Sequence, residues 1–219
     1  MPGHGCIGRL AIGVIERAGA VSGAGFLKGG DSASIPVLCV FDSEEVGSVS
    51  PQGAGSSLLE DTLGRICDGL KLNRGRMLAQ SFLVSADNAH AVHPNHPEYA
   101  DPGNAPVMGG GLVIKYNANL SYCTDSVSAA VFRKICGRAG VKVQTYHNRA
   151  DLPGGSTLGR ISLAHVSVPT VDIGLAQLAM HSCYETAGAR DTVSLIRLME
   201  EFYASHFEET ASGTLTISK

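Results

Sequence analysis

Apolar and polar residues succeed each other along this chain in blocks that predict strands and helices in turn. Short apolar runs bounded by Ser, Asp and Gly predict strands at residues 35–41, 82–86, 111–116, 141–145 and 170–173. Apolar residues at helical spacing predict helices near 57–70, 74–82, 124–138 and 191–207. This alternation favours an α/β fold, a three-layer sandwich in which helices cover both faces of a mostly parallel central sheet.

The ends of these elements carry weaker signals. Ser57 and Glu60 have the spacing of a capping box that opens a helix, and Asp191 is expected to be the N-cap of the last helix. The strand at 35–41 is expected to be buried. The glycine-rich first 34 residues leave room only for a short helix over about 8–20.

Composition narrows the class of protein. The chain has 219 residues, of which 44% are hydrophobic and 17% charged, so it can bury the core of one domain. A net charge of −3 predicts no nucleic-acid partner, and the lack of an apolar run of about 18 residues predicts no membrane span. The six cysteines form no Cys-x-x-Cys pair, which indicates reduced core thiols and a cytoplasmic location.

The first candidate for chemistry is the pair Glu44-Glu45, which follows the strand at 35–41. Sites in α/β sheets gather at the carboxyl ends of strands, and two adjacent carboxylates can divide metal binding and proton transfer between them. The alternative from the residues alone is a solvated acidic turn.

Three further stretches offer ligands. Asp87 ends another strand and is followed closely by His90, a combination that suits zinc, manganese or cobalt; the alternative is a His-rich loop. His181 follows the strand at 170–173 and is either a ligand or a core imidazole. The Gly-rich residues 154–159 form either a backbone nest or a tight turn.

Taken together, five motifs occur in one order along the chain. They are Phe-Asp-Ser-Glu-Glu-Val-Gly-Ser from 41, Ser-Ala-Asp-Asn-Ala-His-Ala-Val-His-Pro-Asn from 85, Gly-Leu-Val-Ile-Lys-Tyr-Asn from 111, Gly-Ser-Thr-Leu-Gly from 155, and Val-Asp-Ile-Gly-Leu-Ala-Gln-Leu-Ala-Met-His-Ser from 171. This set resembles the aspartyl aminopeptidase family of di-zinc exopeptidases over about residues 35–208. The resemblance implies a phosphorylase/hydrolase-like zinc peptidase domain that removes N-terminal residues, acidic ones in preference, from peptides.

The resemblance also implies the role of each matching residue. Glu44 would be the general base that activates the attacking water. Glu45 and His181 would ligate one zinc ion, and Asp87 would ligate the other.

Four more positions match family residues that contact the substrate. They are His90, Lys115 and Tyr122, together with Gly155, whose loop would lie against the substrate backbone.

The chain also departs from the family pattern. The family has a further His ligand upstream and a bridging Asp after an Arg-Leu pair, whereas Ala11 follows Arg9-Leu10 here. We therefore expect the C-terminal half of the catalytic domain, truncated at the N-terminus, with a poorly defined segment at 1–34, a partial catalytic domain at 35–208 and a tail at 209–219.

Two functions follow from this comparison. One is a zinc aminopeptidase with two zinc ions per complete site in the family, and one or none here. The other is an inactive fragment or paralogue that acts at most as a binding module. The family forms large homo-oligomers, but the domain that builds its dimers is not expected in this chain.

Overall fold

The computed structural model describes residues 10–16, 34–211 and 214–218. The strands are β1 Leu10–Glu16, β2 Ile35–Phe41, β3 Phe82–Ala86, β4 Ala89–His90, β5 Leu112–Tyr116, β6 Val143–His147, β7 Thr170–Gly174, β8 Ala176–Leu178, β9 Thr186–Ala187, β10 His206–Ala211 and β11 Thr214–Ser218. The α-helices are α1 Leu58–Leu70, α2 Arg74–Ala79, α3 Ser126–Ala139, α4 Leu158–Leu163 and α5 Ala189–Tyr203. Short 3-10 turns span Glu44–Val46 and Pro97–Tyr99.

Six strands form the central sheet in the order β2-β1-β3-β7-β5-β6. Neighbouring strands are parallel, except that β5 and β7 are antiparallel. The prediction of a mostly parallel sheet is therefore confirmed. Because β2, β3 and β7 run in one direction, their carboxyl ends meet at the same edge of the sheet.

Helices cover both faces of this sheet, which confirms the three layers. On one face, Phe82 and Val84 of β3 pack in a core with Phe132 of α3 and Phe202 of α5. On the other face, Leu83 of the same strand packs in a core that includes residues of α1, α2 and α4. The alternation along β3 follows from the two-residue period of a strand that is buried on both sides.

Two expectations about the first strands are wrong. The short helix over 8–20 is not formed where the structure describes that segment, because residues 10–16 are a strand that pairs in parallel with β2 and β3. Residues 1–9 and 17–33 lie outside the described part. The second error is the burial of β2: it is an edge strand whose side chains are mostly half-exposed, with only Phe41 buried. An edge also tolerates Pro36, which has no N–H to donate.

Of the two expected helix caps, one is correct in position and the other is wrong. Ser57 is the N-cap of α1, but its side chain makes no capping hydrogen bond, and its hydroxyl donates instead to Asp61 Oδ2 at 2.7 Å. The N-cap of α5 is Gly188, and Asp191 lies within the first turn. There the buried Asp191 carboxylate accepts hydrogen bonds from the N–H groups of Gly109 and Gly111 at 2.6 and 3.0 Å. Asp191 therefore anchors the loop that leads into β5.

Two segments that were predicted as a loop and a tail contain regular secondary structure. The Gly-rich loop ends in the short helix α4, whose Leu158 is fully buried. Part of the interval predicted as a tail lies in β10 and β11, which pair as an antiparallel hairpin. Phe207 at the start of this hairpin stacks on Phe82 with ring centroids 5.3 Å apart. Within the described residues, no helix has both the length and the apolar character to span a bilayer.

Candidate active site

The adjacent carboxylates of Glu44 and Glu45 lie in a 3-10 turn directly after β2. The turn is held in an unusual shape, with Ser43 in the left-handed region at φ 67° and Gly47 at φ 97°. The Ser48 N–H donates to the Ser43 carbonyl at 2.7 Å and closes the turn. A left-handed backbone at a non-glycine residue costs of order 1–3 kcal/mol and is common at functional sites.

His181 lies in the loop after β8, and its own backbone is left-handed at φ 65°. Its N–H donates to Glu185 Oε1 at 2.6 Å, and its Nδ1 makes a short hydrogen bond with Glu45 Oε2. The two side chains are 59% and 54% exposed, so their attraction across water is weak. The loop conformations therefore do more than this ion pair to bring the two side chains together.

Asp87 follows β3 and lies beside a buried cation. The Lys115 side chain is 2% exposed, and its Nζ donates to the carbonyls of Asp87 and Asn88 at 3.0 and 3.1 Å. The same Nζ is 3.4 Å from Asp87 Oδ2 and 5.1 Å from the centre of the Tyr122 ring. Lys115 thus fixes both the backbone and the carboxylate of Asp87.

All eight predicted site residues line one cavity of about 140 Å³. They come from positions as far apart in the chain as 44 and 181. Their roles as base, ligands and substrate contacts remain predictions. Ser156 and Thr157 of the wall lie in the Gly155 loop, which was expected to contact the substrate. Sequence reasoning missed the other residues of the wall, which are Asn88, Ala89, Gln177, Met180 and Glu185.

Two of the missed residues position others. Asn88 Nδ2 donates to Gln177 Oε1 at 2.7 Å and joins the loop after β3 to strand β8. Glu185 orients the backbone of His181 by accepting the hydrogen bond from its N–H. The only available signal for Asn88 was its place beside Asp87, whereas nothing in the sequence distinguished Glu185 from a surface acid.

The two imidazoles of the cavity have opposite electrostatic surroundings. The hydrogen bond to Glu45, supported by the charges of nearby carboxylates, raises the pKa of His181. Burial lowers the pKa of His90, and the positive charges of Lys115 and His181 lower it further. The cavity therefore has an acidic side near His181 and a more cationic side near His90.

The donor set partly fits zinc. Glu45 and His181 offer a carboxylate oxygen and an imidazole nitrogen, which zinc prefers, and their side chains already converge. Catalytic zinc sites usually have three protein ligands. Within residues 10–16, 34–211 and 214–218, no group of three or more His, Cys, Asp or Glu side chains is close enough to hold a metal ion. Glu45 and His181 therefore form one incomplete zinc position, and Asp87 lines the same cavity.

A larger cavity of about 290 Å³ adjoins the first and shares His90, Gly155 and Gln177 with it. Two of the charged or titratable side chains that line it are paired with carboxylates. Arg149 is paired with Asp151 at 2.7 Å, and His96 is 3.0 Å from a Glu98 carboxylate oxygen.

Comparison with known proteins decides the family. Residues 27–203 match the family described as aminopeptidase I zinc metalloprotease (M18). The chain belongs to the M18 family. The chain is 46% identical over 185 residues to a probable M18 family aminopeptidase 2 of Mycobacterium tuberculosis, covering 82% of this chain and 43% of that protein.

Solved structures agree on the fold. The structure of the Ape4 and Nbr1 complex matches 84% of this chain and 37% of its own chain, with a TM-score of 0.81 and 36% identity. The Saccharomyces cerevisiae mApe1 dodecamer matches with a TM-score of 0.70 and 26% identity, covering 84% of this chain and 43% of its own. The predicted family is confirmed. The chain spans about two fifths of the length of the curated relatives it matches.

Proposed function

We propose that this chain carries catalytic machinery of a metal-dependent aminopeptidase that removes N-terminal residues, acidic ones in preference, from peptides. The observation that carries the proposal is the convergence of Glu44, Glu45, Asp87 and His181 on one cavity. Membership of a zinc metalloprotease family supports zinc as the metal.

Glu45 and His181 would hold one zinc ion, and Asp87 would take part in holding a second. Zinc bound there would polarise the scissile carbonyl and lower the pKa of the attacking water. Glu44 would take a proton from that water and return it to the leaving amine, as a general base and then a general acid. Its place in the same short turn as Glu45 brings the proton acceptor next to the proposed ligand.

The substrate would be held at both of its charged groups. Carboxylates on the side of His181 would attract the free α-amine of the peptide. On the opposite side, the charge of Lys115 would favour an acidic first side chain. His90 would donate a hydrogen bond to it as a neutral imidazole, and Tyr122 would pack against it. Lys115 already donates to Asp87 and the neighbouring carbonyls. We therefore expect its charge to attract the substrate carboxylate at a distance, without a direct hydrogen bond.

The adjoining cavity would take the rest of the peptide past Gly155. Since Arg149 and His96 are paired with carboxylates there, we expect little preference for the charge of the second and third residues. We also propose that the protein assembles with copies of itself, as the S. cerevisiae mApe1 dodecamer does. A cytoplasmic location remains a prediction.

Hydrolysis of aspartyl and leucyl anilides during a zinc titration tests the proposal. We expect zinc-dependent turnover that is faster with the aspartyl substrate. Glu44→Gln should lower kcat by about 10²–10⁴-fold, the usual range for a general base. Glu60→Gln, which changes a surface acid paired with Arg74, is the matched control and should retain turnover. Equal losses in the two variants would argue against Glu44 as the base.

A second candidate is a non-catalytic module. The observation that favours it is that the described residues supply no group of three metal ligands. Absence of turnover at every zinc concentration, in a folded chain, would select this candidate over the peptidase.

A further inference from the structure

Asp172, in the middle of β7, is fully buried and binds two loops at once. Its Oδ1 accepts a hydrogen bond from the Thr157 hydroxyl at 2.7 Å, and its Oδ2 accepts one from the Cys123 N–H at 2.5 Å. Thr157 and Tyr122, the neighbour of Cys123, both line the site cavity. The buried Asp172 carboxylate therefore connects the wall that contains Tyr122 with the wall that contains Thr157.

The close approach of α4 to this carboxylate requires a glycine. A Cβ atom at Gly159 would lie 2.6 Å from Asp172 Oδ1. The backbone of β7 also contacts the loop that contains Cys123, because the Asp172 N–H donates to Thr124 Oγ1 at 2.9 Å. A buried carboxylate costs free energy unless its oxygens are hydrogen-bonded, and here both oxygens accept.

A path of contacts runs from Asp172 to the reactive side of the cavity. The bond to the Cys123 N–H fixes the chain next to Tyr122. The Tyr122 ring lies 5.1 Å from Lys115 Nζ, which in turn contacts the carbonyl and carboxylate of Asp87. The Thr157 bond fixes the end of the loop that contains Gly155.

We propose that Asp172 is a positioning residue, which holds the Tyr122 wall and the loop at 155–157 at the spacing that the peptide substrate needs. The inference rests on the proposed aminopeptidase function. Asp172 reaches no solvent in the cavity itself and acts through Tyr122 and Thr157.

Thr157→Val tests one of the two connections while keeping the shape of the side chain. The matched control is Thr170→Val, which removes an equally buried hydroxyl whose bond, 2.7 Å to the Val168 carbonyl, lies away from the cavity. Both variants should lose similar thermal stability. Only Thr157→Val should raise KM for the aspartyl anilide, by about fivefold, as expected for one lost hydrogen bond, with a smaller change in kcat. Equal KM values in the two variants would overturn the proposal.

The other connection is measured without turnover, through the Cys123 thiol. Burial raises the pKa of this thiol, and the Asp172 carboxylate raises it further. Asp172→Ala should therefore increase the rate of Cys123 alkylation by iodoacetamide several-fold, read by peptide mass spectrometry. Asp172→Asn, which keeps one acceptor oxygen and can donate to Thr157 Oγ1, should restore most of the KM and part of the slow alkylation.

The two readouts separate the failure of this inference from that of the proposed function. If the wild type shows no turnover, the aminopeptidase proposal fails, and the comparison of Cys123 alkylation in the two neutral variants, Asp172→Ala and Asp172→Asn, decides whether the Asp172 hydrogen bond holds the Tyr122 wall. Equal alkylation rates in these two folded variants overturn the inference whatever the activity. If Asp172→Ala does not fold, the comparison of Thr157→Val with Thr170→Val still decides it.

Discussion

The two sides of the cavity are built differently. On one side, Glu45 and His181 meet in solvent, each more than half exposed, at the end of left-handed turns. On the other side, Asp87 lies against the buried ammonium of Lys115, which has the Tyr122 ring beside it. The first side consists of two exposed groups with one contact between them, and the second is a packed network of hydrogen bonds.

This difference indicates two kinds of preorganisation. The Asp87 side is rigid because removal of any partner would leave a buried polar group unsatisfied. The Glu45–His181 side owes its geometry to backbone turns and can lose a side chain at little cost in folding energy. We therefore expect mutations on the Asp87 side to change stability, and mutations on the Glu45–His181 side to change zinc affinity.

Lys115→Met should produce the largest effect on stability. The apolar side chain leaves the carbonyls of Asp87 and Asn88 and one carboxylate oxygen without their donor. The Asp87 side chain is 20% exposed, so we expect a loss of about 2–4 kcal/mol in the free energy of unfolding. Urea denaturation measures this, with the exposed Lys134→Met as the control. A loss no greater than that of the control would remove the distinction between the two sides.

Glu185→Ala should have a smaller effect, confined to the other side. Its carboxylate accepts the His181 N–H and holds the imidazole toward Glu45. Groups that orient metal ligands commonly change metal affinity by about 10–100-fold. Isothermal titration with zinc should show weaker binding than in Glu60→Ala, with a similar melting temperature. A marked loss of melting temperature would show that this side is also needed for folding.

The smallest expected effect is on the pH dependence of stability. Because the pKa of His90 is lowered in the folded state, the unfolded chain takes up a proton first as the pH falls below the ordinary value of 6.5. Stability from the neutral imidazole is therefore present above that pH and is lost as the pH falls toward the lowered pKa. Between about pH 7.5 and 5.5, the melting temperature should fall slightly more in the wild type than in His90→Gln. A steeper fall in His90→Gln would mean that the protonated form is the one favoured by the fold.

Sequence patterns predicted most of the sheet, because strands buried on both faces read as short apolar runs. That signal found β3, β5 and β7, together with the two long helices on one face. It failed at β1, where parallel pairing on both sides outweighs the cost of glycine in a strand, and at Asp191, whose partners are 80 and 82 residues away. The residues next to β1 and to Asp191 in the sequence contain no pattern that indicates these long-range contacts.

The candidate site was predicted from motifs in one order along the chain, and the structure brings those residues to one cavity. The supporting residues were not predicted. Asp172 lies within one of the motifs, but its proposed positioning role depends on hydrogen bonds from Thr157 and Cys123, which are 15 and 49 residues away in the sequence. Glu185 acts by accepting hydrogen bonds from the His181 N–H and from Gln177 Nε2, which any acid at a suitable position in the fold could do.

We propose that Glu45 and His181 together form a zinc position in this cavity. The most direct test is the zinc dissociation constant of the wild type and of His181→Ala, measured by isothermal titration at neutral pH, with His165→Ala as the control. We expect zinc binding in the wild type and in His165→Ala, and a loss of about 100-fold or more in His181→Ala without a change in melting temperature. Equal zinc affinity in all three proteins would rule out this pair as a zinc position.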